Sequence, residues 1–463
     1  MKDESRRRSR RMWQAGLILS CLMTQALGSA AQTPLRWEGK AAQPVPVSRS
    51  GFIDRSSAKN ALPLGSNFNV AQFEAMAQQL VASQRVPGMA MAIVHNGRVL
   101  SARGYGVTDT RAPLPVDGHT VFRLASLSKA FAGTLTGLMV NDGTLRWDTR
   151  LTQYQPGFRL ADPAAAQMIT VADLLSHRVG LRHNAYDRDL EANVDYSTLT
   201  QKLAYAPMAC APGTCYGYQN IAFSLIGDVI QGATGVSYGQ TVQNRIFRPL
   251  GMTDASVGLD GILTSPNWAR PHVRTRGGWL SLTPKPSYYH VAPAAGVNAS
   301  AGDMAKWLLA QTGHRPDVLS APLLATLHQP LVSTPGELRG SSWRRERLNA
   351  ASYALGWRVY DYAGNNLVFH GGAVQGYRGV VALLPDRDLG IAILWNSESS
   401  VPTGLLPTML DRAIGLNDRP WLDIEFDEPT LFAENTGKPA NTGQTATRDD
   451  AGTTSTKTSA APN

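Results

Sequence analysis

Cysteine is scarce, with three in 463 residues, so the chain is neither a disulfide-built scaffold nor a cysteine-rich metal module. No internal repeat is evident. Metal ligands are not clustered either: His177 and His183 are the best-spaced pair, and no carboxylate or cysteine completes a site, so no metal and no cofactor are expected. The one long apolar run is Met12 to Leu27. At 43% hydrophobic residues, the chain is long enough for one large or two medium domains with a substantial core.

That apolar run follows a basic stretch, Lys2 to Arg11, and precedes Gly28, Ser29, Ala30 and Ala31. The pattern is that of a secretory signal peptide over residues 1–31, cut near Ala31. An uncleaved anchor is the alternative, but Gln14, Thr24 and Gln25 interrupt a run already short for a span of about 20 residues. Arg10-Arg11 and Ile18-Leu-Ser-Cys21 are weak matches to a twin-arginine signal and a lipoprotein box. Residues 1–31 hold six basic and two acidic side chains, so the formal charge of +9 falls to about +5 for the remainder. Such a mild excess points away from a nucleic-acid partner. The expected location is periplasmic or secreted, without stable membrane insertion after cleavage. There Cys210 and Cys215, five apart, are placed for a local disulfide, with two buried thiols as the alternative.

Residues 32–66, rich in Pro, Ser and Gly, read as an extended arm before an amphipathic helix near Asn67 to Val81. Met89 to Val94 and Arg98 to Tyr105 read as strands joined by an Asn96-Gly97 hairpin turn. A buried helix is expected from Ser126 to Val140, ended by Asp142-Gly143. Another opens on the capping box Thr170-Val-Ala-Asp173, and a third runs from Ile221 to Gln231, closed by Gly232. Leu367 to His370, Arg378 to Leu384 and Gly390 to Trp395 are short strands, followed by a closing helix, Thr403 to Ile414. The fold class is therefore mixed α/β (α+β): an antiparallel β-sheet completed by both ends of the chain and flanked by helices, with an inserted helical region. Residues 67–426 form the domain; 427–463 have almost no large apolar residue and read as a disordered tail.

Chemistry begins at Ser126-Leu-Ser-Lys129, because a Ser and a Lys three apart on a helix share a face, where the amine reaches the hydroxyl. Ser56-Ser-Ala-Lys59 has the same spacing but lacks an apolar helix. Between Leu124 and Val140 the only charged side chain is Lys129. A lone Lys there is costly unless it sheds its proton, which a general base near neutral pH requires. The bland reading is a snorkelling Lys beside a capping Ser. Tyr218-Gln-Asn220 follows a turn and supplies a phenol able to pass a proton, one that a neighbouring Lys makes easier to ionise, while Asn220 is also a natural N-cap. His370-Gly371-Gly372 ends a strand, where paired glycines admit substrate to the backbone and an edge N–H can donate to an oxyanion. Gly235-Val-Ser237-Tyr-Gly239 fits a nucleophile elbow in letters, but a helix precedes it and Ser237 reads as the next cap.

With these three elements in order, residues 67–416 resemble the serine β-lactamase and penicillin-binding-protein superfamily, in its class C β-lactamase-related branch with DD-peptidases, D-aminopeptidases and type VIII esterases. Leu174-Leu-Ser-His-Arg-Val-Gly-Leu181, Gly296 to Asp303 and Leu355-Gly-Trp357 add to the resemblance. It implies a β-lactamase/transpeptidase-like fold and an exported serine hydrolase that cuts amide or ester bonds of the β-lactam or D-amino acid peptide class through an acyl-enzyme. By the resemblance Ser126 is the nucleophile, Lys129 its base and Tyr218 the proton carrier. Asn220, His370, Gly371, Gly372 and Ala373 bind substrate, with the backbone N–H groups of Ser126 and Ala373 as the oxyanion hole. The family's Lys-Thr-Gly is absent, and His370-Gly371-Gly372 stands in its place, with a cationic His370 or Arg378 to replace the lost charge. Alternatives are a type VIII-like carboxylesterase and a non-catalytic penicillin-binding or scaffold protein on the same fold. The expected partner is a small-molecule or peptide substrate of a monomer. The aromatic segment Gly261 to Ala295 is placed to wall the pocket.

Overall fold

The computed structural model describes residues 61–422; the signal sequence, most of the arm, Ser56 to Lys59 and the tail expected beyond 427 lie outside the described residues. The first helix, α1 (Val70–Ala82), starts where the Asn69 side chain accepts from the Ala71 and Gln72 N–H groups. Next come β1 (Gly88–His95) and β2 (Arg98–Gly106), turned by Asn96 and Gly97, both at positive φ.

Nearer the site lie β3 (Phe122–Arg123), β4 (Ser256–Val257), β5 (His272–Thr275), β6 (Gly278–Ser281) and β7 (Val297–Ala299). The last third supplies β8 (Val332–Ser333), β9 (Leu348–Tyr353), β10 (Arg358–Tyr362), β11 (Asn365–Val374), β12 (Tyr377–Leu384) and β13 (Leu389–Trp395). Eight of them form one sheet in the order β2-β1-β13-β12-β11-β10-β9-β8, so the two ends of the chain meet where β1 pairs antiparallel with β13. Smaller sheets join β3-β7-β4 and β5-β6.

The central strands are largely apolar because both faces of the sheet are covered. In β1, Ala90, Ala92 and Val94 enter one core and Met89, Met91 and Ile93 the other, the two-residue alternation of a strand. Against the second core pack α1, through Phe73, Met76 and Leu80, and the closing helix Leu405–Ala413. The first core is shared with the helical region, whose central helix is α2 (Ser128–Asn141). There Phe131 stacks on Trp307 at 4.0 Å between ring centroids. Among the described residues no helix is long and apolar enough to cross a membrane.

Two expectations about helix ends need correcting. The helix expected over Ile221 to Gln231 spans Asn220–Thr234 and closes at Gly235, at φ 71°. Gly232 stays inside it, because the Tyr154 ring lies against that position. Asn220 is the first residue of the helix, not its cap; Gln219 takes the cap position without a side-chain hydrogen bond. The capping box forms as read, Thr170 with Asp173, and Cys210 and Cys215 are bonded.

Candidate active site

Ser126 sits in a single 3-10 turn, Ala125–Leu127, that leads straight into α2. Ala125 holds φ 50°, a left-handed conformation unfavourable for a residue with a Cβ. Ser128 pins the turn: its hydroxyl donates to the Ala125 carbonyl (2.6 Å) and accepts from the Val297 N–H (2.9 Å) of β7. On the far side, Gly356, at φ 82°, lies so close to the Lys129 carbonyl that a Cβ would stand 2.3 Å from its oxygen. That contact gives the Leu355-Gly-Trp357 stretch a physical reason, close approach of a loop to the helix that carries Lys129.

One helical turn on, Lys129 is fully buried, and its Nζ lies 3.3 Å from Ser126 Oγ. Burial drives its amine well below the ordinary 10.5; Asp187 pulls it back up, and Arg358 adds to the lowering. A neutral amine has two N–H groups and one lone pair. Asn220 Oδ1 (2.7 Å) and the Ala294 carbonyl (3.1 Å) are acceptors only and take both N–H groups. In that neutral form what remains toward Ser126 is the lone pair, which can accept the Ser126 proton. Tyr218, whose hydroxyl donates to Ser126 Oγ at 2.9 Å, completes the chain. Burial pushes the Tyr218 phenol up to about 12 against the opposing pull of Arg358 and of its bond to Ser126. The expected easing of its ionisation by Lys129 is thereby reversed, since an uncharged amine gives a phenolate no support.

The third element meets the same point. Beyond Phe369, β11 overhangs β10 and pairs only with β12, as β10 reaches no further than Arg358 opposite Phe369. At Gly372 a Cβ would stand 2.4 Å from the Leu124 carbonyl oxygen and 3.2 Å from Ser126 N. The strand end therefore lies against the backbone of the Ser126 turn, with Gly371 part-exposed and Ala373 exposed. His370 departs from expectation. It is buried, its Nδ1 on the Gly371 carbonyl (2.8 Å) and its Nε2 on the Tyr353 hydroxyl (3.0 Å). Burial holds its pKa well below 6.5, and Arg358 acts in the same direction. So His370 is a neutral support for the strand end and supplies no cation. Arg378, the other expected source of charge, is partly buried on β12 opposite Ala373.

Several neighbours escaped the sequence reading. Asp187 accepts from Asn220 Nδ2 at 2.7 Å. Arg358 is nearly buried 5.6 Å from the Tyr218 ring centroid and is paired with Glu337, which also holds Arg344. That pairing, with Arg347 on Asp411 at 2.9 Å, neutralises much of the basic cluster Arg339 to Arg347. Nothing local singles out Asp187 among 35 acidic residues. His177 is buried against the Tyr218 ring and accepts from the Gln219 N–H, while His183 is exposed, so the two do not form a pair. Among the described residues no group of three His, Cys, Asp or Glu could hold a metal. Ser237 is exposed and caps Tyr238–Val242, far from the role of an elbow nucleophile. The segment Gly261 to Ala295 reaches the site through the Ala294 carbonyl.

Known proteins share this arrangement of elements. The Beta-lactamase family model matches residues 73–415. The chain is 27% identical over 357 residues to Unguisins hydrolase ungD' of Aspergillus campestris, covering 73% of this chain and 63% of that protein. It is 26% identical over 340 residues to Protein flp of Staphylococcus aureus strain COL, covering 72% and 64%. The chain thus spans a little under two thirds of the length of these relatives. Its fold superposes on the octameric penicillin-binding protein homologue from Pyrococcus abyssi with a TM-score of 0.66 at 23% identity, covering 75% of this chain and 78% of that one. From the match over most of its length, the chain belongs to the Beta-lactamase family, within the serine β-lactamase and penicillin-binding-protein superfamily.

Proposed function

We propose that the chain is a serine hydrolase that cuts amide or ester bonds through an acyl-enzyme on Ser126. The observation that carries this is one oxygen with two proton partners: Ser126 Oγ lies 3.3 Å from the buried Lys129 amine, whose pKa burial lowers, and 2.9 Å from the Tyr218 hydroxyl. In acylation Lys129 takes the Ser126 proton as Oγ attacks the carbonyl carbon. Backbone N–H groups of Ser126 and Ala373 hold the resulting oxyanion. Neutral Tyr218 gives its proton to the leaving nitrogen or oxygen and regains one through Lys129. Water then retraces the path to release the acid.

β-Lactams, D-amino acid peptides and small esters are the candidate substrates, and the relative named as a hydrolase is consistent with that range. A type VIII-like esterase has a specific observation in its favour: burial holds the His370 pKa well below 6.5, so the residue in place of the lysine offers no charge to a substrate carboxylate. Turnover of nitrocefin, a D-Ala-D-Ala peptide and p-nitrophenyl butyrate, each with wild type and Ser126→Ala, tests the reading. Activity lost in Ser126→Ala supports it; equal activity in both proteins, or none on any substrate, refutes it. Export rests on the leader pattern alone, and N-terminal sequencing of the secreted protein is expected to begin just after Ala31.

A further inference from the structure

Lys129 serves as a base only if its lone pair faces Ser126, and that depends on which end of the Asn220 amide faces Lys129. With Oδ1 toward the amine, Lys129 spends its N–H groups on Asn220 and Ala294. With the NH2 end turned there, the amide would present a donor, and the Lys129 lone pair would be drawn to Asn220 instead of Ser126. The two orientations have nearly the same shape, so packing alone does not choose between them.

We propose that Asp187 makes the choice: it is a positioning residue whose carboxylate accepts from Asn220 Nδ2 (2.7 Å) and thereby aims the Lys129 lone pair at Ser126. Three links of the relay are 2.7–2.9 Å long, and the Ser126–Lys129 link is 3.3 Å. Tyr218 donates to Ser126, Lys129 to Asn220 and Asn220 to Asp187, and a neutral Lys129 turns its lone pair to the Ser126 hydroxyl 3.3 Å away. A carboxylate oxygen facing an amide can only be matched by its NH2 end, so the far terminus of the chain fixes the sense of every bond before it.

The backbone is bent to deliver this side chain. Asn184 and Tyr186, neither of them glycine, adopt φ 52° and 62° ahead of Asp187, and such conformations persist only where their surroundings hold them. The Asn184 N–H donates to the Tyr218 carbonyl at 2.8 Å, tying the turn that bears Asp187 to the segment that bears Tyr218 and Asn220. Asp187 is itself 8% exposed, and its second oxygen, Oδ1, is shut off from solvent with no hydrogen-bond partner among the described residues. A buried carboxylate left half satisfied is costly to the fold. Its place is explained by what the satisfied oxygen does.

The inference rests on the base-and-nucleophile reading above, and the test separates the two. Phosphonylation by a fluorophosphonate, with loss of fluoride, and acylation by nitrocefin would be followed in single turnover for wild type, Asp187→Asn and Asp187→Leu, resolving the binding constant from the rate of the covalent step. Asparagine keeps an acceptor for Asn220 Nδ2 and loses the charge; leucine keeps similar bulk and loses the acceptor. Expected are an acylation rate about 100-fold lower in Asp187→Leu, a binding constant within a few-fold of wild type, and a smaller loss in Asp187→Asn, whose amide can present either an acceptor or a donor to Asn220. Should the leucine variant not fold, Asp187→Ala, which also lacks an acceptor, is read by the same criteria. Wild-type rates without an acceptor, or equal losses in the asparagine and leucine variants, would overturn the proposal while leaving Ser126 as nucleophile. Failure of wild type to label at Ser126 would overturn both.

Discussion

Gly372→Ala offers a sharp test of how β11 meets the nucleophile. The added Cβ would stand 2.4 Å from the Leu124 carbonyl oxygen and 2.7 Å from Leu127 Cδ1, where ordinary contact begins at 3.4 Å. Leu127 can turn aside, but the carbonyl belongs to the turn that holds Ser126, so strand and turn must part by about 1 Å. The Ser126 and Ala373 N–H groups proposed to hold the oxyanion, one on each side of that seam, would part with them. Misplacement on this scale costs about 100-fold in acylation, or about 2.7 kcal/mol of transition-state stabilisation, and the overpacking costs the fold about 1–3 kcal/mol. Gly371→Ala is the control, since its Cβ would meet only the Phe369 ring, 3.5 Å away. Stopped-flow acylation and thermal melting of both variants would be compared with wild type. A Gly372→Ala protein that acylates at the wild-type rate would refute the seam as the oxyanion site, and equal damage in Gly371→Ala would refute the steric argument.

Other expectations follow from the same geometry. Tyr218→Phe is expected to slow amide hydrolysis by about 100-fold or more while sparing p-nitrophenyl esters, whose leaving group departs without a proton; parallel kcat losses on both would contradict Tyr218 as proton donor. Acylation is expected to fall as pH drops through the lowered pKa of Lys129 and the base becomes charged. In stability the unfolded chain binds a proton at Lys129 below 10.5 that the folded chain refuses, so between the folded pKa and 10.5 this residue makes stability rise with pH. Denaturant melts of Lys129→Met across that window should lack this rise. Glu337→Gln leaves the nearly buried Arg344 and Arg358 without their shared carboxylate. It should destabilise by about 3 kcal/mol in urea melts, and a loss under 1 kcal/mol would show the network to be solvated.

The sheet was legible in the sequence because its central strands carry apolar side chains on both faces and Asn96-Gly97 marks the hairpin. The nucleophile helix was legible because an isolated Lys in an apolar stretch needs a reason. Helix ends were less so: Gly232 reads as a stop in sequence, and only the Tyr154 ring shows why a glycine lies inside the helix. The site's outer residues were hidden for another reason. Asp187 and Arg358 act through neighbours 33 and 140 positions away, Asn220 and Tyr218, and no local pattern encodes such pairings. His370 misled because a histidine in a motif suggests charge, whereas burial beside Arg358 keeps it neutral.

The whole mechanism turns on the charge of one amine. Protein carrying 13C at the lysine ε-carbon, with Lys129→Met used to assign the resonance, allows its titration to be followed directly by NMR. A Lys129 signal that titrates well below 10.5 and disappears in the variant is the expected result. One that titrates near 10.5, with the exposed lysines, would contradict an uncharged amine as the base for Ser126.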